Sequence, residues 1–498
     1  MVQQPLPEPW GDMPPEEFRS YGERVVGWVT DYLSGAEAYP VLAQVRPGDI
    51  AAQLPTSPPQ VGEPMGAILD DFETVLMPGM THWNRGGFLA YFANSASAAG
   101  ILGETLCAAL NQNAMLWKTS PAATELEEVV IDWVRQMLGL PPGFRGVITD
   151  TASISTLLAI AAARNAVPGL NVREEGLGGR PDSPRLRLYT SDQAHSSVEK
   201  AAILLGIGLN GVRKIPTDAA FRMRPEALAL ALEEDSAGDW TPFCVVATAG
   251  TTSTTAVDPI PEIAAICRQA GIWLHVDAAY GGSAAVAPEF RDVLAGCEEA
   301  QSLVMNPHKW LFTPMDCSLL FVRDPESLRQ TFALIPDYLA TNEDGVTNFM
   351  DWGVQLGRRF RALKLWMVIR YFGQEGLAAR IRYHVALARE FASWVDASTD
   401  FERLTETNLS VVCFRACPKG AAEDTLNTLN TELLQRVNAD GRVFLSHTKL
   451  RGVVCLRIAI GNIGTGQEHT AAAWELLQAQ LELLCAKQPF ASIVSSEE

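Results

Sequence analysis

The sequence predicts an α/β fold: a large domain around a mostly parallel sheet, a helical arm before it and a small α+β domain after it. Over residues 98–371, short β-rich apolar runs take turns with helix-period runs, the pattern of βαβ units joined by right-handed crossovers. A chain of 498 residues also exceeds what one core organises, which leaves room for two domains and an extra segment. The third observation is the opening stretch, residues 1–97, which is rich in proline and whose linker, residues 39–62, cannot form a core alone.

The arm comes first. Phe18, Tyr21, Val25, Val26, Val29, Tyr32 and Leu33 recur at mostly helical spacing between the opening Pro14-Pro15 pair and Gly35, so a helix is expected over 15–33. Its apolar face must be buried either on its own domain or on a second subunit. In the large domain the expected strands are 146–149, 185–190, 243–248, 272–277, 302–306 and 318–322. Helical patterns such as 153–166, 196–206 and 261–270 lie between them. The last domain, 372–498, opens on a long helix, continues with strands at 409–415 and 453–460, and finishes on a helical pattern over 467–486.

Bulk properties exclude some classes of partner. A net charge of −19 repels nucleic acid and anionic membranes. No apolar run approaches the ~20 residues of a membrane span, and the first residues lack the basic and apolar regions of a signal peptide. The nine cysteines are scattered with no C-x-x-C pair, which suits reduced thiols in a cytoplasmic protein and not a disulfide frame or a zinc site. No metal is expected.

The chemistry centres on Asn306-Pro307-His308-Lys309-Trp310. The buried run before it places Lys309 near a sheet edge, where α/β enzymes hold their reacting groups. A lysine there is a surface charge, or a desolvated amine that forms an imine with a carbonyl. Other run ends offer partners. Asp277, in His275-Val276-Asp277-Ala278-Ala279-Tyr280, can hold a pyridinium nitrogen or simply cap the next turn. His195 can lie against a flat ring or merely start a helix. Thr151-Ala152-Ser153 precedes a helix, so Ser153 is an N-cap, part of an anion site, or both. Asn306 and His308 can add donors, and Thr248 brings a hydroxyl to the same edge. Together these are the contacts that pyridoxal 5′-phosphate (PLP) requires.

Longer matches narrow the family. Met77-Pro78-Gly79-Met80-Thr81-His82-Trp83, Ser120-Pro121-Ala122-Ala123-Thr124-Glu125-Leu126-Glu127, Asp192 to Glu199, His275 to Tyr280, Asn306 to Trp310, and Leu356 to Trp366 carry the resemblance. The chain resembles the group II PLP-dependent decarboxylases, and among them the aromatic-L-amino-acid decarboxylases. That resemblance implies the fold-type-I, aspartate-aminotransferase-like architecture and a homodimer with the active site at the subunit interface, the arm packing on the partner. It makes Lys309 the Schiff-base lysine, Asp277 the pyridinium partner and His195 the stacking ring. Ala152, Ser153, Thr248, Ala279, Asn306 and His308 would surround the cofactor, and Trp83, Phe92, Asn94, Met115 and Gly357 would form the substrate pocket.

Tyr338, in a polar segment without regular period, is the implied proton donor on a closing lid. Relatives with phenylalanine there form aldehydes, so Tyr338 with His195 favours simple decarboxylation. Two departures stand out. Asp150 occupies a position that is often glycine in the phosphate turn, so its carboxylate is expected to face away. Met115 replaces an aromatic residue. With the room left at Gly357, where phenol-preferring relatives carry serine, this suggests an indolic substrate such as tryptophan. An aromatic aldehyde synthase, a decarboxylase of acidic amino acids and a cofactor-binding protein without catalysis are the rival readings.

Overall fold

The structure is a computed structural model that describes residues 12–334, 343 and 345–487. Its larger sheet has seven strands: β1 (Arg145–Thr149), β2 (Arg185–Ser191), β3 (Val212–Ile215), β4 (Trp240–Thr248), β5 (Trp273–Asp277), β6 (Ser302–Met305) and β7 (Ser318–Val322). Their order across the sheet is β1-β7-β6-β5-β4-β2-β3. Only β7 runs against its neighbours, pairing antiparallel with both β1 and β6. The other pairings, β6–β5, β5–β4, β4–β2 and β2–β3, are parallel. Helices cover the faces, so the inner strands are buried on both sides and read as continuous apolar runs, as Val245-Val246-Ala247 does in β4.

A second, antiparallel sheet holds β8 (Phe401–Arg403), β9 (Val411–Ala416), β10 (Ser446–Leu450) and β11 (Val453–Ala459) in the order β10-β11-β9-β8. The expected strands and helices are present with ends shifted by a few residues. The sequence patterns did not indicate β3, β8 and β10. All three are sheet edges, where polar side chains such as Arg213 and Lys214 replace the apolar signal.

The long helical stretch Ala362–Ala397 joins the two sheets and is interrupted at Gly373, whose φ of 65° needs glycine's freedom. Leu377, Ile381 and Val385 still belong to the core around the large sheet. Leu387, Phe391 and Val395 pack into the core of the small one.

The arm behaves differently. The helix Pro15–Gly35 buries no residue within this chain, and Phe18 and Val26 are 68% and 61% exposed. It is tied back by Arg24, which bonds Asp70 at 2.6 Å, and by the Tyr32 hydroxyl, 3.0 Å from Nδ1 of His82.

Candidate active site

Because β7 opposes both β1 and β6, strands β1, β2, β4, β5 and β6 all point the same way, and their carboxyl ends share one edge. Each end delivers part of the site. Ala152 and Ser153 follow β1, His195 follows β2, Thr248 ends β4, Asp277 ends β5, and Asn306, His308 and Lys309 follow β6. All except Thr248 line one cavity of about 390 Å³, joined by Ala279. Thr248 stands beside Asp277 across the β4–β5 ladder and is buried.

Asn306 caps the short helix Pro307–Trp310, which places Lys309 in the cavity wall. Burial pushes the Lys309 ammonium below its ordinary pKa; the nearby Asp277 charge opposes the shift and Arg457 adds to it. The amine is thus biased towards the neutral, nucleophilic form. Asp277 is buried, and its Oδ1 accepts the Ala279 N–H at 3.1 Å. His195 is held by Ser197, whose N–H donates to Nδ1 at 3.2 Å, leaving the ring proton on Nε2. Burial lowers its pKa, against Asp277 and with Lys309.

Thr151 gives the helix Ala152–Asn165 no side-chain cap, so its first N–H groups, at Ala152 and Ser153, are open to an anion. Asp150 does not line the cavity. Its Oδ1 takes the Thr151 N–H at 2.5 Å, and its Oδ2 accepts from Gln355 at 3.4 Å, so the carboxylate is spent on its own turn. His308 is pushed down to about 3 by burial and by Lys309, and is neutral. Two buried oxygens, Thr248 Oγ1 and Asn306 Oδ1, have no partner among the described residues.

An aromatic wall adjoins Lys309. Phe92 stacks on Tyr280 at 3.8 Å, Tyr280 on Trp310 at 4.7 Å, and Lys309 Nζ lies 5.2 Å from the Phe92 centroid. Trp83, Tyr91 and Asn94 complete this side. Residues 47–417 match the model of the pyridoxal-dependent decarboxylase conserved domain.

The chain belongs to the pyridoxal-dependent decarboxylases.

Relatives extend over nearly the whole length. A phenylacetaldehyde synthase of Arabidopsis thaliana is 42% identical, covering 95% of this chain and 98% of its own. Tryptophan decarboxylase 2 of Oryza sativa subsp. japonica is 41% identical, covering 95% and 96%. The crystal structure of Oryza sativa TDC with PLP and tryptamine superposes with a TM-score of 0.91 at 37% identity, over 95% of this chain and 99% of that one. The chain is therefore a PLP-dependent carboxy-lyase of the fold-type-I α/β class.

The decarboxylase site fits PLP on its own chemistry. It offers an amine with a lowered pKa, a buried carboxylate, open N–H groups for a phosphate, and orphaned oxygens that a bound molecule can satisfy.

Two expected pocket residues are not brought in. Met115 and Gly357 do not line the cavity of their own chain, and both lie near Asn113. Asn113 joins them, its Nδ2 donating to the Met115 sulfur at 3.5 Å and its Oδ1 accepting the Arg358 N–H at 2.9 Å. Tyr338 lies outside the described residues, as do residues 488–498.

Sequence reasoning assigned no role to Arg457, Ser446, His447 and Thr448 of the small sheet, or to Thr252 and Ser253, all of which line the decarboxylase cavity. One signal was available: Arg457 is a lone charge in the apolar run of β11.

Proposed function

We propose that this decarboxylase converts an aromatic L-amino acid, with tryptophan or another indolic amino acid preferred, to the arylalkylamine and CO₂. The aromatic wall of Trp83, Tyr91 and Phe92 beside Lys309 carries this reading, since a flat apolar side chain suits such a wall and an acidic one does not. The relatives named for tryptophan decarboxylation and tryptamine binding support it.

PLP, when bound, supplies a ring that takes up the electron pair left by departing CO₂. The residues do the rest. Lys309 Nζ, whose pKa burial lowers, would be the amine that holds the cofactor's aldehyde and yields its place to the substrate's amine. Asp277 holds a proton on the ring nitrogen. His195, Ala279 and Thr248 would hold the ring, Thr248 through a buried hydroxyl that has no partner among the described residues. Ala152 and Ser153, with Asn306 and His308, hold the phosphate. Tyr338 gives Cα its proton.

The working form is a homodimer in the cytoplasm. The unburied face of the helix Pro15–Gly35 and exposed Leu102, Leu106 and Leu110 on the helix Ala98–Leu110 provide apolar surface for a second copy. Met115 and Gly357 would then reach the neighbour's cavity. Nine free cysteines, seven of them buried, suit a reducing compartment.

The test is a comparison of kcat/KM across tryptophan, 5-hydroxytryptophan, tyrosine, dopa and phenylalanine, with glutamate as the non-aromatic control. Turnover of the aromatic set alone is expected. Glutamate turnover would end the aromatic reading. Tyrosine or dopa ahead by more than about tenfold, roughly 1.4 kcal/mol, would end the indolic preference. A second reading, aldehyde synthesis with oxygen consumed and peroxide and ammonia released, has support from the similar phenylacetaldehyde synthase. Peroxide formed in step with CO₂ would establish it.

A further inference from the structure

The helical stretch Ala362–Ala397 carries an imidazole, His384, between Ile381 of the large core and Leu387 of the small one. His384 is buried, and so are its two hydrogen-bond partners, Trp310 and Asn462. The Trp310 indole N–H donates to His384 Nδ1 at 2.9 Å, with the two rings within 4° of parallel. An indole nitrogen can only donate, so Nδ1 is the acceptor and the imidazole proton sits on Nε2. That proton is directed to the backbone of Asn462. Asn462 passes the connection on: its Nδ2 donates to Trp83 O at 2.6 Å and to Arg85 O at 3.0 Å, while its Oδ1 accepts the Gly464 N–H at 2.9 Å.

Both ends of this series reach the catalytic cavity. Trp310 directly follows Lys309 in the helix Pro307–Trp310, and Trp83 belongs to the aromatic wall. Tyr280 stacks on the Trp310 ring at 4.7 Å. A stack leaves a flat side chain free to slide in its own plane, and an in-plane N–H···N bond removes that freedom. A buried N–H without an acceptor is costly, so the indole keeps its place only while Nδ1 carries no proton. Burial lowers His384 to about 4, the Asn462 backbone opposing the shift and Arg380 adding to it, so the acceptor stays open at neutral pH. One rigid ring thus spans, from behind, the gap between the amine and the wall.

We propose that His384 is a positioning residue with two separable duties: through Trp310 it sets the place of Lys309, and through Asn462 it sets the place of Trp83. This rests on the proposed roles of Lys309 and of the aromatic wall. The spacing it maintains is the space that the substrate's side chain must occupy beside the cofactor, where a misplacement of about 1 Å is felt in the rate.

The test separates the two nitrogens. In His384→Gln the side-chain nitrogen can stand where Nε2 stood, and the indole loses its acceptor. This variant should slow the capture of PLP by apoenzyme, followed by stopped-flow absorbance, by about three- to tenfold, the worth of one hydrogen bond, and leave KM for the substrate within about twofold. In His384→Asn the side-chain oxygen can stand where Nδ1 stood, but nothing reaches Asn462. This variant should raise KM by about three- to tenfold and leave PLP capture within about twofold. Trp310→Phe, which deletes the indole N–H, should slow PLP capture as His384→Gln does. Combining the two should add less than about twofold, because both remove one bond. If His384→Gln and His384→Asn each move PLP capture and KM together, the role is merely structural and the proposal is overturned. Wild-type PLP capture by Trp310→Phe would also overturn it, whether or not the histidine variants fold. Failure of the underlying reading looks different: borohydride would fix PLP on a lysine other than Lys309, or Trp83→Ala would leave KM unchanged, and the proposal would fall with it.

Discussion

The backbone N–H of Cys317 donates to Nδ1 of His308 over 2.9 Å. An acceptor Nδ1 on a neutral ring leaves the proton on Nε2, so His308 is a fixed donor beside Lys309. His308→Leu should weaken PLP binding by about ten- to a hundredfold, the worth of roughly 1.5–3 kcal/mol for a hydrogen bond to a charged group. His308→Gln, which keeps a donor, should lose less. Fluorescence titration of apoenzyme with PLP measures both, and equal affinity of the leucine variant and wild type would remove His308 from the site.

Acid should destabilise the apoprotein through its buried imidazoles. Burial lowers His308 to about 3, and His275 and His384 to about 4 each. The unfolded rings titrate near ~6.5, so below that pH the unfolded state binds protons that the folded state refuses. The stability held by these neutral rings is complete above about pH 6.5 and falls as pH drops towards the folded values. Urea melts from pH 8 to pH 4 should show the decline, and His384→Asn should flatten it. A flat wild-type profile would contradict the burial argument.

Lys309 should capture PLP at lower pH than an exposed lysine does. Its pKa lies below the ordinary amine value, so the neutral fraction at a given pH is larger, and the rate declines only as pH falls through the lowered pKa. Stopped-flow absorbance of apoenzyme mixed with PLP follows this directly. A rate still rising steeply up to pH 10 would mean an unperturbed amine.

Glu127 and Arg358 form a buried ion pair at 2.6 Å, and both also hold β1: Glu127 Oε1 accepts the Ile148 N–H at 2.8 Å and Arg358 donates to Ile148 O at 2.9 Å. Removing one partner strands the other's charge, so Glu127→Ala or Arg358→Ala should cost about 3–5 kcal/mol of stability. PLP affinity should fall as well, because β1 leads into Ala152 and Ser153. Denaturant melts and cofactor titration separate the two effects.

Tyr338→Phe should lower amine yield and raise aldehyde and peroxide per CO₂ released. Product analysis under air checks this, and an unchanged amine-to-CO₂ ratio would take Tyr338 out of proton delivery.

Much of the site was legible because it is locally encoded. Lys309, Asp277 and His195 each end or follow a short apolar run, and Ser153 opens a helix, so pattern alone put them at a sheet edge. The edge strands β3, β8 and β10 were not legible, since half-solvated strands need no continuous apolar stretch. Arg457 was hidden for the opposite reason. Its neighbours Leu456 and Ile458 are fully buried, so the run reads as plain core, and only the fold shows that its guanidinium meets Tyr91, Phe92 and Ser253.

By itself the sequence determined the α/β class and the decarboxylase family and singled out Lys309, because periodicity and long motifs are properties of neighbouring residues. Tertiary structure alone decided which residues share a cavity. Strand order brings the ends of β1, β2, β4, β5 and β6 to one edge, although their residues lie far apart along the chain. The small sheet adds Arg457 to that cavity, while Met115 and Gly357 stay outside it. Burial then set the chemistry: the wall around Lys309 excludes solvent and lowers the pKa of a lysine that would be an ordinary cation in water.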